Sequence, residues 1–77
     1  LDEPLLGLSP AMQNSLIQAI KQIRREGITV LVAEQFARPL LPIVDRGYVI
    51  ENGMLTLQGT GHELRENPEV RSTFMGV

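Results

Sequence analysis

Asp2 and Glu3 stand side by side near the start of the 77-residue chain, followed by Pro4 and then by Gly7-Leu8-Ser9-Pro10. Successive side chains on an extended strand point to opposite faces, so an acidic pair at a strand tip can divide two tasks. One carboxylate can face a bound Mg²⁺ while its neighbour reaches a water, an arrangement that suits phosphoryl transfer. A second polar tip, Glu34-Gln35, follows the apolar run Ile28 to Ala33. His62 is the single histidine and there is no cysteine, which excludes a thiolate or multi-histidine metal cluster. In a capping turn with no second histidine, His62 reads as a solvated surface residue.

Composition narrows the field further. A hydrophobic share of 43% against 21% charged residues is a globular balance and not a disordered one. Seven Lys and Arg against nine Asp and Glu give a net charge of −2. No basic run exceeds Arg24-Arg25, so nucleic acid is not an expected partner. The apolar stretches around residues 28–33 and 40–44 are far shorter than the roughly 20 residues of a membrane span. No signal peptide is visible. The length allows one small domain, and since a chain of about 60 residues buries only about 60% of its unfolded surface, independent stability is not assured. Residues 1–77 are read as one piece with no internal boundary, repeat or linker.

The elements that must position the polar tips follow from spacing. Ser9 is an N-cap with Pro10 at the first helical position. Met12, Leu16, Ile17, Ala19, Ile20 and Ile23 recur at helical spacing, so the helix runs to Glu26 with one packed face and one wet face. Arg24 and Arg25 suit the negative end of the helix dipole, and Gly27 provides a left-handed stop. Residues 28–33 are β-branched and apolar, which predicts a strand buried on both faces, parallel to a strand stub ending at Asp2. Strand, helix and parallel strand form a crossover unit. Phe36 beside Gln35 reads equally as a core anchor for the loop after this strand, and Pro39 opens a short apolar helix. Tyr48 to Glu51, the turn Asn52-Gly53 and Met54 to Gln58 predict an antiparallel hairpin. Thr60 with Glu63 is a capping box for a short helix through Arg65, and Asn67-Pro68 caps another carrying Val70, Phe74 and Met75.

Asp2-Glu3-Pro4 with Gly7-Leu8-Ser9 resembles the end of the Walker B motif and the D-loop of ABC-type ATPases. Within that superfamily the wording is similar to the ATP-binding subunits of branched-chain amino acid importers. The matching pieces are Val32-Ala33-Glu34-Gln35, Asp45-Arg46, Tyr48-Val49-Ile50-Glu51-Asn52-Gly53, Gly59-Thr60-Gly61, Glu63-Leu64 and Asn67-Pro68-Glu69-Val70. The resemblance covers essentially the whole chain, and order and spacing carry it more than any one piece. It implies an α/β fold, the C-terminal part of a P-loop ABC ATPase domain, composed of a strand stub, helix, parallel strand, short helix, hairpin and two short helices.

The resemblance also implies roles. Asp2 would hold Mg²⁺ through its water shell and Glu3 would polarise the attacking water. Gly7, Leu8 and Ser9 would lie at the dimer contact, although many family members carry Asp where Ser9 stands. Gln35 occupies the place of the family's switch histidine; a glutamine can donate an amide hydrogen bond to a phosphate but cannot carry a proton, so its role there would be positioning and not acid or base work. The intact protein would bind Mg²⁺ and ATP and work as a head-to-tail dimer. It would sit on the cytoplasmic face of the membrane beneath a permease, with the solute left open. The sequence has no phosphate-binding loop ending in Gly-Lys-Ser or Gly-Lys-Thr and no Leu-Ser-Gly-Gly-Gln signature. The chain alone is therefore expected to need neither cofactor nor to act as an ATPase. The alternative is a non-catalytic interaction fragment that binds no nucleotide and self-associates through the exposed edge of residues 28–33.

Overall fold

The computed structural model describes residues 1–76. In chain order the elements are α1 (Pro10–Arg25), β1 (Arg46–Glu51), β2 (Met54–Thr60), α2 (Gly61–Glu66) and α3 (Pro68–Phe74). Contacts gather into two units, one spanning Leu1–Gln35 and the other starting at Phe36. The chain is α/β in content, with a two-stranded antiparallel sheet as its only named sheet among the described residues.

In the first unit the capping chemistry works as the residues dictate. Ser9 Oγ accepts from the Met12 N–H at 3.3 Å, and Pro10 opens α1 where no donor is needed. The helix ends at Arg25, one residue short of expectation, with Glu26 as its C-cap. Gly27 has φ 86°; its N–H donates to Arg24 O at 3.0 Å while the Ile28 N–H donates to Ile23 O at 3.4 Å. This pair of bonds is a Schellman stop, and only the left-handed glycine lets both form without strain. The packed face is narrower than its periodicity predicts. Ile20 is buried and Leu16 and Ile17 are half-buried, but Met12 and Ile23 remain 55% and 38% exposed. Leu5 is the only other fully buried hydrophobic side chain of this unit, too little to cover a sixteen-residue amphipathic helix.

The expected parallel strand over residues 28–33 is corrected by the structure. Only Ala33 pairs, in a single parallel bridge with Asp2. Ile28 is 55% and Leu31 80% exposed, so the segment is not buried on both faces.

In the second unit β1 and β2 pair antiparallel, from Arg46↔Thr60 to Glu51↔Met54. Asn52 and Gly53 have φ 51° and 76°, the two left-handed residues of a type I′ turn. The register shifts between Val49 and Ile50, leaving Thr56 as the extra residue, and its Oγ1 donates to Val49 O at 3.3 Å. Val49 is buried and Leu57 half-buried, whereas Tyr48, Ile50, Met54 and Leu55 are exposed. Leu41, Val49, Leu64 and Val70 form the core, with Val44, Leu57, Phe74 and Met75 packed against it.

Two expectations in this unit are corrected. Residues 38–43 form successive turns and not a helix. Leu40 and Leu41 both donate to Ala37 O, and Ile43 and Val44 both donate to Leu40 O. Pro42 has no N–H to carry the ladder between these pairs. Phe36 is 47% exposed and anchors no core.

Thr60 and Glu63 close the expected capping box reciprocally, at 3.0 and 2.9 Å, and α2 reaches Glu66. Asn67 ends α2 and starts α3, with its Oδ1 accepting from the Glu69 and Val70 N–H groups at 2.9 and 3.2 Å. The Gly59-Thr60-Gly61 run has a packing reason. A Cβ on Gly61 would lie 2.6 Å from the carbonyl oxygens of Leu41 and Val44, backbone atoms that cannot step aside.

Gly61→Ala should therefore destabilise the second unit by about 1–3 kcal/mol, read as a lower urea midpoint by circular dichroism. An unchanged midpoint would mean that the turn at residues 41–44 gives way freely. The Thr60 backbone N–H, followed by its hydroxyl, holds the Glu63 carboxyl below the usual glutamate range. A depressed folded-state value stabilises above the unfolded value, about 4.3, and this contribution is lost as pH falls through the folded value. Stability should thus fall on acidification below about pH 4.3, with a smaller acid-side slope in Glu63→Gln, measured by denaturation at stepped pH.

Candidate functional site

The two polar tips identified in the sequence meet in the first unit through backbone pairing. The Leu1 nitrogen donates to Leu31 O at 2.7 Å, the Ala33 N–H to Leu1 O at 2.8 Å and the Glu3 N–H to Ala33 O at 2.7 Å. These three bonds have the slanted pattern of a parallel pair and bracket Asp2. Gln35 lies two residues beyond the bridge on the opposing segment. Asp2, Glu3 and Gln35 are all exposed.

The division of labour between opposite strand faces does not extend to Glu3. Its φ is 45°, so the backbone has already left the strand at that residue. A non-glycine residue in this region carries a cost of order 1–3 kcal/mol and is held there by its surroundings. Here the holding bonds are Glu3 N–H to Ala33 O on one side and Leu6 N–H to Glu3 O, at 3.2 Å, on the other. Strand alternation therefore positions Asp2, and a turn positions Glu3.

That turn leads directly into the candidate dimer-contact residues. Leu8 N–H donates to Leu5 O at 3.2 Å, Gly7 has φ 77°, and Gln13 Nε2 reaches back from α1 to Leu8 O at 3.4 Å. Gly7 and Ser9 are exposed and Leu8 is half-buried. The Ser9 hydroxyl is engaged as the N-cap, so its structural task is filled irrespective of any further contact.

Sequence reasoning passed over Glu34. Its Oε2 accepts from the Leu5 N–H at 3.0 Å, tying the second polar tip to the turn that carries Glu3 to Ser9. A side-chain bond across 29 residues leaves no periodic trace, and the one available signal was an acidic residue at the end of an apolar run. Among the described residues no group of three or more His, Cys, Asp or Glu could hold a metal ion. Asp2 thus offers a single exposed carboxylate, which suits a cation that keeps its waters and binds through one or two carboxylates plus substrate phosphates. Among the described residues no helix is long and apolar enough to cross a membrane.

Comparison with known sequences supplies the class. The chain is homologous along essentially its whole length to ATP-binding proteins of ABC transporters. It is 46% identical over 76 residues to the high-affinity branched-chain amino acid transport ATP-binding protein BraG of Pseudomonas aeruginosa, covering 99% of this chain and 33% of that protein. It is 35% identical over 77 residues to the high-affinity branched-chain amino acid transport ATP-binding protein LivG of Salmonella typhimurium, covering 99% and 30%. It is 32% identical over 76 residues to the lipopolysaccharide export system ATP-binding protein LptB of Acidithiobacillus ferridurans, covering 99% and 32%. The chain spans about a third of the length of these relatives. No family model matches the chain.

Glu34→Ala should leave the Leu5 N–H without its charged acceptor and loosen the turn by about 1.5–3 kcal/mol of local stability. The readout is amide hydrogen exchange at residues 5–8, which should quicken while amides of β1 and β2 keep their protection. Unchanged exchange at Leu5 would show that the Glu34 bond does not hold the turn.

Proposed function

We propose that this chain is part of the ATP-binding subunit of an ABC importer of the branched-chain amino acid type, and that its first unit supplies half of a nucleotide-hydrolysis site. The observation that carries the reading is the 46% identity to BraG along 99% of the chain. The exposed acid pair beside Gln35, held by the Asp2–Ala33 bridge, is consistent with it.

In this reading residues 1–77 are a contiguous C-terminal piece of a P-loop ABC ATPase domain. Asp2 binds Mg²⁺ through water, Glu3 accepts a proton from the attacking water, and Gln35 donates an amide hydrogen bond toward the γ-phosphate. Bound Mg²⁺ would neutralise charge on the β- and γ-phosphates; Asp2 and Glu3 contribute only their carboxylates and their placement. Gly7, Leu8 and Ser9 face a second ATPase subunit in a head-to-tail dimer. The assembly lies on the cytoplasmic face of the membrane against a permease, and the phosphate-cradling loop comes from residues outside this chain.

The test is steady-state hydrolysis of Mg-ATP by the full subunit. Glu3→Gln should lower kcat by roughly 10² to 10⁴ with ATP binding retained, while the 77-residue chain alone hydrolyses no ATP. A loss below about tenfold would remove Glu3 from the role of general base. A second reading, a self-associating fragment that binds no nucleotide, draws on the exposed extended segment around Leu31. It requires a concentration-dependent dimer of the 77-residue chain that Leu31→Lys abolishes, measured by sedimentation.

A further inference from the structure

Three of the chain's seven basic residues, Arg38, Arg65 and Arg71, line one hollow of about 310 Å³ in the second unit, together with Pro42, Glu66 and Met75. The three arginines and Glu66 are exposed. Among the described residues no ion pair or side-chain hydrogen bond engages any of these four charged groups. Arg65 and Arg71 sit in the last turns of α2 and α3, where a cation suits the helix dipole. The dipole does not account for their convergence with Arg38, which belongs to no helix.

The backbone fixes where the three arginines emanate. Asn67 is the single-residue joint between α2 and α3, locked by its bonds to the Glu69 and Val70 N–H groups. The Ala37 N–H donates to Phe74 O at 2.8 Å, which ties the segment carrying Arg38 to the end of α3. Three planar forks on tied backbone, without ion pairs among the described residues, offer paired donors of the kind that takes an oxyanion.

We propose that this hollow is a binding site for a phosphate group. Among the described residues that line the hollow, three guanidinium cations against the Glu66 carboxylate leave two net positive charges. A phosphate monoester carries about −1.5 to −2 at neutral pH and matches that charge, whereas a single carboxylate would satisfy half of it. Three forks also match the several acceptor oxygens of a phosphate. The site is independent of the nucleotide-hydrolysis reading, since none of its residues belongs to the first unit. The phosphate can come from a soluble phosphate compound or from an anionic lipid headgroup.

The experiment is an NMR titration of the full-length protein that carries this chain with inorganic phosphate, against sodium chloride at matched ionic strength, following the Nε–H signals of Arg38, Arg65 and Arg71. The expected result is saturable shifts at Arg38, Arg65 and Arg71 with phosphate and not with chloride. Arg65→Gln with Arg71→Gln should weaken binding by about tenfold or more, and Glu66→Gln should tighten it, a gain that misfolding cannot produce. Sedimentation with phosphatidylglycerol vesicles separates the sources. Co-sedimentation that free phosphate competes away assigns a headgroup, and its absence beside phosphate binding assigns a soluble ligand. Shifts that fail to saturate, that chloride reproduces, or that survive the double substitution overturn the proposal, as does weaker binding by Glu66→Gln.

Discussion

An extended segment holds its course where its peptide groups find partners, and in the first unit three backbone bonds supply them. The bonds of Leu1 and Glu3 with Leu31 and Ala33 fix Asp2 opposite Ala33. Everything that gives the acid pair a defined setting continues from there. Glu3 turns out of the strand, Glu34 holds the Leu5 N–H, Gln13 holds Leu8 O, and Ser9 caps α1. Each link is a polar group satisfied by a residue distant in sequence or one helical turn away, so losing the pairing would release the turn as a whole. Ile28 and Leu31 expose apolar surface on the same segment.

The second unit is organised differently because its partners are local. A two-residue turn folds β1 onto β2, and the bulge at Thr56 is closed by its own hydroxyl. Helices α2 and α3 are each capped by the residue immediately before them. Long-range packing enters where side chains of the hairpin, the turn at residues 37–44 and both helices share the core around Val70, which is 2% exposed. At Gly61 that packing brings backbone against backbone, so a residue that reads as a helix start in sequence is in space a point of closest approach.

The relatives put a boundary on what this stretch encodes. Two of them, at 35% and 32% identity over nearly the whole chain, carry names for different cargoes, a branched-chain amino acid and a lipopolysaccharide. Similarity at this level to proteins named for such different cargoes singles out no cargo for this chain.

What the sequence determined by itself is what depends on neighbours a few residues away. The Ser9, Thr60 and Asn67 caps, the Gly27 stop, the Asn52-Gly53 turn and the hairpin were legible because capping and left-handed geometry are local chemistry. The polar residues Asp2, Glu3 and Gln35 were legible as types, and the segments carrying them as neighbours. Tertiary structure alone decided that residues 28–32 form no strand, since hydrophobic β-branched sequence favours extended backbone but does not by itself supply a neighbouring strand. It alone turned Glu3 out of the strand and brought Glu34 to Leu5, because a bond between residues 29 apart has no signature in local spacing. It alone gathered Arg38, Arg65 and Arg71 on one hollow, since three separated arginines become one electrostatic feature only after Asn67 and the Ala37–Phe74 bond set their backbones.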